Sequence, residues 1–282
     1  MKVLKMLGKM ILVLAIPYVM QLLCFFFAGM AIAIVADPSE LEVTQLTERL
    51  LSFTPLILLL ANIIVIALFF LVHTSKRRHK MTVAYRFNPI TVQEGLLATL
   101  IGLSSFMVST GFAALTNIQS LDVETTESLS NLIINDNFLI TFLGVGIIAP
   151  IAEEIVFRGS LFKNLSEHLN IKWVIGIQAL VFSLYHMNIV QAFPTLLIGI
   201  ALGLMVYYTN SIWPAIIMHI LNNSMAVILS NVLPSDFLIP WIGYLLMMLI
   251  GLVAYVVLLM YARKNKRVFS DLPSFEVEEI LA

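Results

Sequence analysis

The stretch 148-IAPIAEEIVFRGSLF-162 sets two adjacent glutamates, Glu153 and Glu154, and an arginine, Arg158, inside an otherwise apolar run. Its reading decides the fold. In a soluble protein such a run would be a core helix with a charged edge. In a bilayer each charge near the midplane costs about 2.5–3.5 kcal/mol on insertion scales, so a chain keeps it there for a purpose. The rest of the chain chooses between these. Of 282 residues 60% are hydrophobic and only 12% charged, with a mean hydropathy of +0.97. Soluble domains are about 45–50% apolar and carry about twice this charge. The reading is therefore an all-α polytopic transmembrane helical bundle, because only backbones that satisfy their own polar groups can cross lipid.

Working outward from the glutamates, apolar windows long enough to cross a bilayer fall near 9–35, 53–73, 91–115, 137–158, 172–188, 191–208, 212–232 and 239–262. That makes about eight spans. The first follows Lys2, Lys5 and Lys9 like a signal peptide. Its apolar run is longer than the roughly 7–15 residues of a signal core, so we expect an uncleaved span. Loop charge alternates. The start, the stretch "HTSKRRHKMTVAYR", the Arg158–Lys172 region and the segment Arg263–Arg267 are basic, whereas the loops with Asp37, Glu40, Glu42, Glu48, and with Asp122, Glu124, Glu127, Asp136, are acidic. An even span count with both termini cytoplasmic gives this alternation. The chain divides into three N-terminal spans (1–137), a segment holding the polar residues (138–232), and a last span with a cytoplasmic tail (233–282). Gly199 and Gly203 lie one turn apart and predict a close helix approach. A net charge of −1 and the absence of a basic motif point away from nucleic acid. The single cysteine, Cys24, excludes an intrachain disulfide and a cysteine-based zinc site.

Five ionisable residues fall well inside spans: Glu153, Glu154, Arg158, His186 and His219. Glu154 and Arg158 are four apart and share a helical face, while Glu153 is rotated from Glu154 by about 100°. One glutamate can thus be neutralised by Arg158 while the other faces a cavity: we expect Glu154 to be held by Arg158 and Glu153 to be free to act as a base. Phe182 and His186 share a face, as do His219 and Asn223. Singly, each has a plain structural reading: a salt bridge pinning a helix, or hydrogen-bonding glue between helices. Together, a carboxylate, two histidines and an asparagine on three helices make a set that can deprotonate water and bind an oxyanion. Glu153, His186 and His219 could instead ligate a divalent metal such as zinc, and spacing does not choose. No H-E-x-x-H helix, mid-span aspartate pair or serine nucleophile with its base is present.

At these positions the sequence resembles the CPBP (CAAX protease and bacteriocin-processing, or Abi) family of intramembrane proteases. The family's three motifs read here "EEIVFR" from Glu153 to Arg158, "FSLYH" from Phe182 to His186, and "HILNN" from His219 to Asn223, within residues 138–228. The resemblance implies that Glu153 and His186 polarise the attacking water. It implies that His219 and Asn223 steady the oxyanion, with Glu154, Arg158 and Phe182 in support. It leaves both a metalloprotease and a metal-free glutamate protease open. Eukaryotic members cut the last three residues from prenylated CAAX proteins, and bacterial relatives are linked to peptide maturation, bacteriocin self-immunity and control of signalling.

The expected function is thus an intramembrane endopeptidase, multi-pass in a bacterial cell membrane, acting on a hydrophobic or membrane-bound peptide or protein among membrane lipid. A scaffold regulating a sensor kinase or exporter, an immunity protein, and a proton-coupled transporter using the two glutamates are the alternatives. Depth is the geometric test. His186 stands about 15 residues beyond Ile171, roughly 22 Å, so Glu153 reaches it only if the fourth helix runs on to about Glu167. The stripe Leu161, Leu165, His168, Leu169 predicts that it does. His219, roughly 12 Å from Ser211, requires a recessed Tyr208–Ser211 turn or a tilted helix.

Overall fold

The computed structural model describes residues 2–35, 43–75, 84–134, 137–234 and 239–267. Asp37, Glu40, Glu42 and Asp136 of the acidic loops, residues 76–83 of the basic loop and the tail beyond Arg267 lie outside the described residues. The described helices are α1 (Lys2–Val35), α2 (Val43–Ser52), α3 (Thr54–Ser75), α4 (Val92–Thr116), α5 (Val123–Ile133), α6 (Phe138–Ser166), α7 (Ile171–Tyr185), α8 (Ile189–Thr209), α9 (Trp213–Val232) and α10 (Trp241–Lys264). No strand occurs among the described residues. The chain is an all-α polytopic bundle. Seven helices, α1, α3, α4, α6, α8, α9 and α10, are long and apolar enough to cross a membrane.

The expected fifth span differs. Helix α7 has 15 residues, so it is about 22 Å long against a hydrocarbon core of about 30 Å. It stops at Tyr185, and His186 caps it. Met187 takes a left-handed backbone with φ 52°, and Asn188 starts α8 by accepting from Gln191 N at 2.8 Å. Asn188 Nδ2 also donates to the His186 carbonyl at 2.7 Å. The "HMN" turn thus satisfies its own backbone. Gly199 lets α8 lie against α7: a Cβ there would meet Ala179 Cα at 3.2 Å.

The fourth span runs on to Ser166, as the leucine stripe predicts. It is not a uniform α-helix. Wide π turns span Phe142–Ile148 and Ile155–Leu161, on either side of the glutamate pair. Pro150 accounts for the first. Without an N–H, it cannot serve the carbonyls four and five residues before it, Gly146 and Val145. Helix α9 serves them instead, Ser224 Oγ donating to Gly146 O at 3.1 Å and Asn223 Nδ2 to Val145 O at 3.3 Å.

The α8–α9 turn is buried within the protein. Asn210 has φ 48°, and Ser211 and Ile212 are fully buried. The segment before α4 seals it: Asn88 Nδ2 donates to Asn210 O at 2.8 Å, Ser211 Oγ to Asn88 O at 2.7 Å, and Ile212 N to Arg86 O at 2.9 Å. Helix α4 opens on a Thr91–Glu94 capping box and packs against α8, α9 and α10, while α3 and α9 flank α6.

Candidate active site

The site is built on α6, α7 and α9. Arg158 is fully buried. Its Nη1 donates to Glu154 Oε1 at 2.9 Å, and its Nη2 reaches Gly199 O at 3.4 Å. Its guanidinium lies over the Phe182 ring, 4.3 Å from the centroid, where the ring's negative face attracts the cation. Glu154, also fully buried, accepts a second hydrogen bond at the same oxygen, from His219 Nδ1 at 2.8 Å. That bond fixes the tautomer: Nδ1 carries a hydrogen, and Nε2 points the other way. The other way is Glu153, whose Oε2 lies 3.7 Å from His219 Nε2. The order Arg158–Glu154–His219–Glu153 forms one line of charge.

The two glutamates stand differently, as their angular separation requires. Glu154 is spent on Arg158 and His219. Glu153 is 24% exposed through its side chain, and its buried Oε2 has no hydrogen-bond partner. It lines a small cleft with Gln21 of α1, Asn62 of α3 and Tyr185 of α7.

The remaining candidates divide. Phe182 is the hub: it is fully buried, and both His186 and His219 pack edge-on against it at 5.1 and 5.5 Å. His186 places its Nδ1 2.9 Å from Phe182 O, so that nitrogen carries the hydrogen and Nε2 remains free. Asn223 is directed at Val145 O, and its Oδ1 accepts from Asn222 at 3.2 Å. Part of its hydrogen bonding therefore goes to the π turn that Pro150 creates.

A metal does not fit the donors as placed. Each histidine engages Nδ1 and leaves Nε2, as a ligand would. Yet among the described residues no three of His, Cys, Asp and Glu are grouped closely enough to hold a metal ion. Glu153, His186 and His219 therefore do not form the three-ligand set that a catalytic zinc needs.

Sequence reading missed two supports. Gln178 is fully buried on α7 and donates to Gly199 O at 2.8 Å, sharing that carbonyl with Arg158. A lone carboxamide in "WVIGIQALVF" was the available signal. Tyr18 of α1 donates its hydroxyl to the Tyr185 carbonyl beside His186, with rings 4.4 Å apart. Nothing local in α1 identifies that partner.

No curated protein and no solved structure matches the chain. A family model described as type II CAAX prenyl endopeptidase Rce1-like matches residues 135–225, which hold all three motifs. That segment, about a third of the chain, is similar to the Rce1-like family, in agreement with the resemblance of its motifs to the CPBP proteases.

Proposed function

We propose that the protein is an intramembrane endopeptidase that hydrolyses a peptide bond in a membrane-associated or hydrophobic peptide. The observation that carries the reading is the unlike treatment of two adjacent glutamates. Glu154 is fully buried and binds both Arg158 and His219 through Oε1, whereas Glu153 accepts no hydrogen bond among the described residues, stands with its Oε2 3.7 Å from His219 Nε2 and borders a cleft. The kinship of residues 135–225 with a CAAX-type protease family supports the same reading.

In the proposed reaction Glu153 takes a proton from water, with His186 Nε2 helping to orient it. The water oxygen bonds to the scissile carbonyl carbon, and the C=O π pair moves to the carbonyl oxygen. His219, held at Nδ1 by Glu154 and carrying a second proton on Nε2 in this step, and the second N–H of Asn223 donate to that oxyanion. When the pair returns, the C–N bond breaks and Glu153 delivers the proton to the leaving amine. No step is routed through a metal. A prenylated CAAX peptide is one substrate to try, and an unmodified hydrophobic peptide is the other.

The test is hydrolysis in reconstituted membranes, read by mass spectrometry of the products. Wild type is expected to cut a peptide that Glu153→Gln and His186→Ala leave intact. Equal cleavage by wild type and both variants refutes the reading. A scaffold would keep its function in both.

A further inference from the structure

We propose that Gln21 and Asn62, on the first two membrane-crossing helices, hold the attacking water against Glu153. This rests on the endopeptidase reading and adds two residues that lie outside the matched segment 135–225.

The cleft beside Glu153 has a volume of about 20 Å³. That accommodates a single water, which needs two to four polar partners to be held. Its walls supply them. Glu153 comes from α6, Asn62 from α3, Gln21 from α1 and Tyr185 from α7. Asn62 is the one polar side chain between Thr54 and His73. It is 5% exposed, its Nδ2 donates to Leu58 O at 2.9 Å, and it accepts no hydrogen bond among the described residues. Gln21 makes none among them at all. A carboxamide in an apolar helix is costly unless it is bonded. The alternative role, glue between helices, requires a hydrogen bond across helices, and neither side chain makes one.

Helix α1 is held where this role needs it. Tyr18 donates to the Tyr185 carbonyl, one of the last carbonyls of α7, which lacks a helical partner. Gln21 is three residues on and shares the face of Tyr18. The polar edge of α1 is thus pinned next to His186 and Glu153. A water gives one hydrogen to Glu153 and aims one lone pair at the substrate carbonyl carbon. Its other hydrogen is shared between His186 Nε2 and a carboxamide oxygen, and its other lone pair suits a carboxamide N–H. During attack the proton passes to Glu153 as the O–C bond forms, and the carboxamides remain unchanged.

The experiment uses the full chain in proteoliposomes with the peptide that wild type cleaves. Gln21→Met and Asn62→Leu keep side-chain size while removing the carboxamide. Each is expected to lower kcat about tenfold, and the pair about a hundredfold, with KM within about twofold of wild type. Asn62→Gln, which retains the group, is expected to recover most of the rate. Unchanged kcat in the double variant, or a change confined to KM, overturns the water-holding role. If Glu153→Gln still abolishes cleavage, the endopeptidase reading survives that result. If wild type and Glu153→Gln cleave alike, both readings fall together. Should the double variant not fold, Gln21→Met alone decides by the same split, since Gln21 makes no hydrogen bond among the described residues.

Discussion

Glu154 and Glu153 are neighbours in sequence and opposites in structure. On the Glu154 side one oxygen, Oε1, takes a guanidinium at 2.9 Å and an imidazole at 2.8 Å, with an aromatic face over the arginine, while Oε2 and Arg158 Nε have no hydrogen-bond partner. On the Glu153 side the groups are under-bonded: Oε2 has no hydrogen-bond partner, and the cleft is edged by two carboxamides that do not bond across helices. One residue, about 100° of helical rotation, thus separates a group that organises the protein from one poised to act on something else. The buried Glu154–Arg158 pair serves more than stability, since a buried ion pair is often no more stabilising than apolar packing of the same shape. Its use here is to hold His219 in one tautomer, aimed at Glu153.

The comparison is broken most severely by exchanging the behaviour of the two sides. Glu153→Gln is expected to lower peptide hydrolysis by about 10²–10⁴-fold, the range for loss of a general base, while the thermal unfolding midpoint in detergent stays near that of wild type. Loss of folding instead would put Glu153 on the structural side. Arg158→Met should do the reverse. It leaves Glu154 charged and uncompensated in a fully buried place, at a cost of about 3–5 kcal/mol in unfolding free energy. Combining it with Glu154→Leu should restore much of that stability but not hydrolysis, because His219 then loses its anchor. A double variant that stays unstable would show that the ion pair is not what the first substitution disrupts.

Two smaller effects sharpen the contrast. Gly111→Ala lies between α4 and α10, where a Cβ would stand 2.7 Å from Tyr244 O. It should cost about 1–3 kcal/mol of stability through overpacking and leave KM unchanged, which calibrates what a purely structural lesion looks like. Tyr18→Phe removes only the hydroxyl that serves the Tyr185 carbonyl. The expected loss is about 1 kcal/mol in unfolding free energy. A larger fall in kcat than this stability loss explains would show that α1 positions the end of α7 for catalysis.

Much of the site was legible because helices impose short-range geometry. The i,i+4 spacing of Glu154 and Arg158 placed them on one face, and the leucine stripe after Gly159 carried α6 to the depth of His186. What escaped was whatever depended on a partner from elsewhere. His219 was read as an oxyanion donor, and its bond to Glu154 could not be seen from either helix alone. Asn223 was read the same way, although Val145 O, a carbonyl that Pro150 cannot serve, already takes one of its N–H groups. The span drawn over 172–188 ended at Tyr185 because hydropathy does not register a turn whose backbone is satisfied by its own asparagine.

Composition and periodicity by themselves determined that this chain is a helical bundle in lipid and that its few intramembrane charges sit on three helices. They do so because a bilayer leaves the backbone no other solution, and because a helix places side chains by counting. Only the tertiary structure decided that His219 bonds to Glu154, and that the first two membrane-crossing helices, α1 and α3, far away in sequence, bring Gln21 and Asn62 to the cleft beside Glu153. Those outcomes depend on the packing of separate helices, and no local spacing encodes the distance between two segments that meet only on folding.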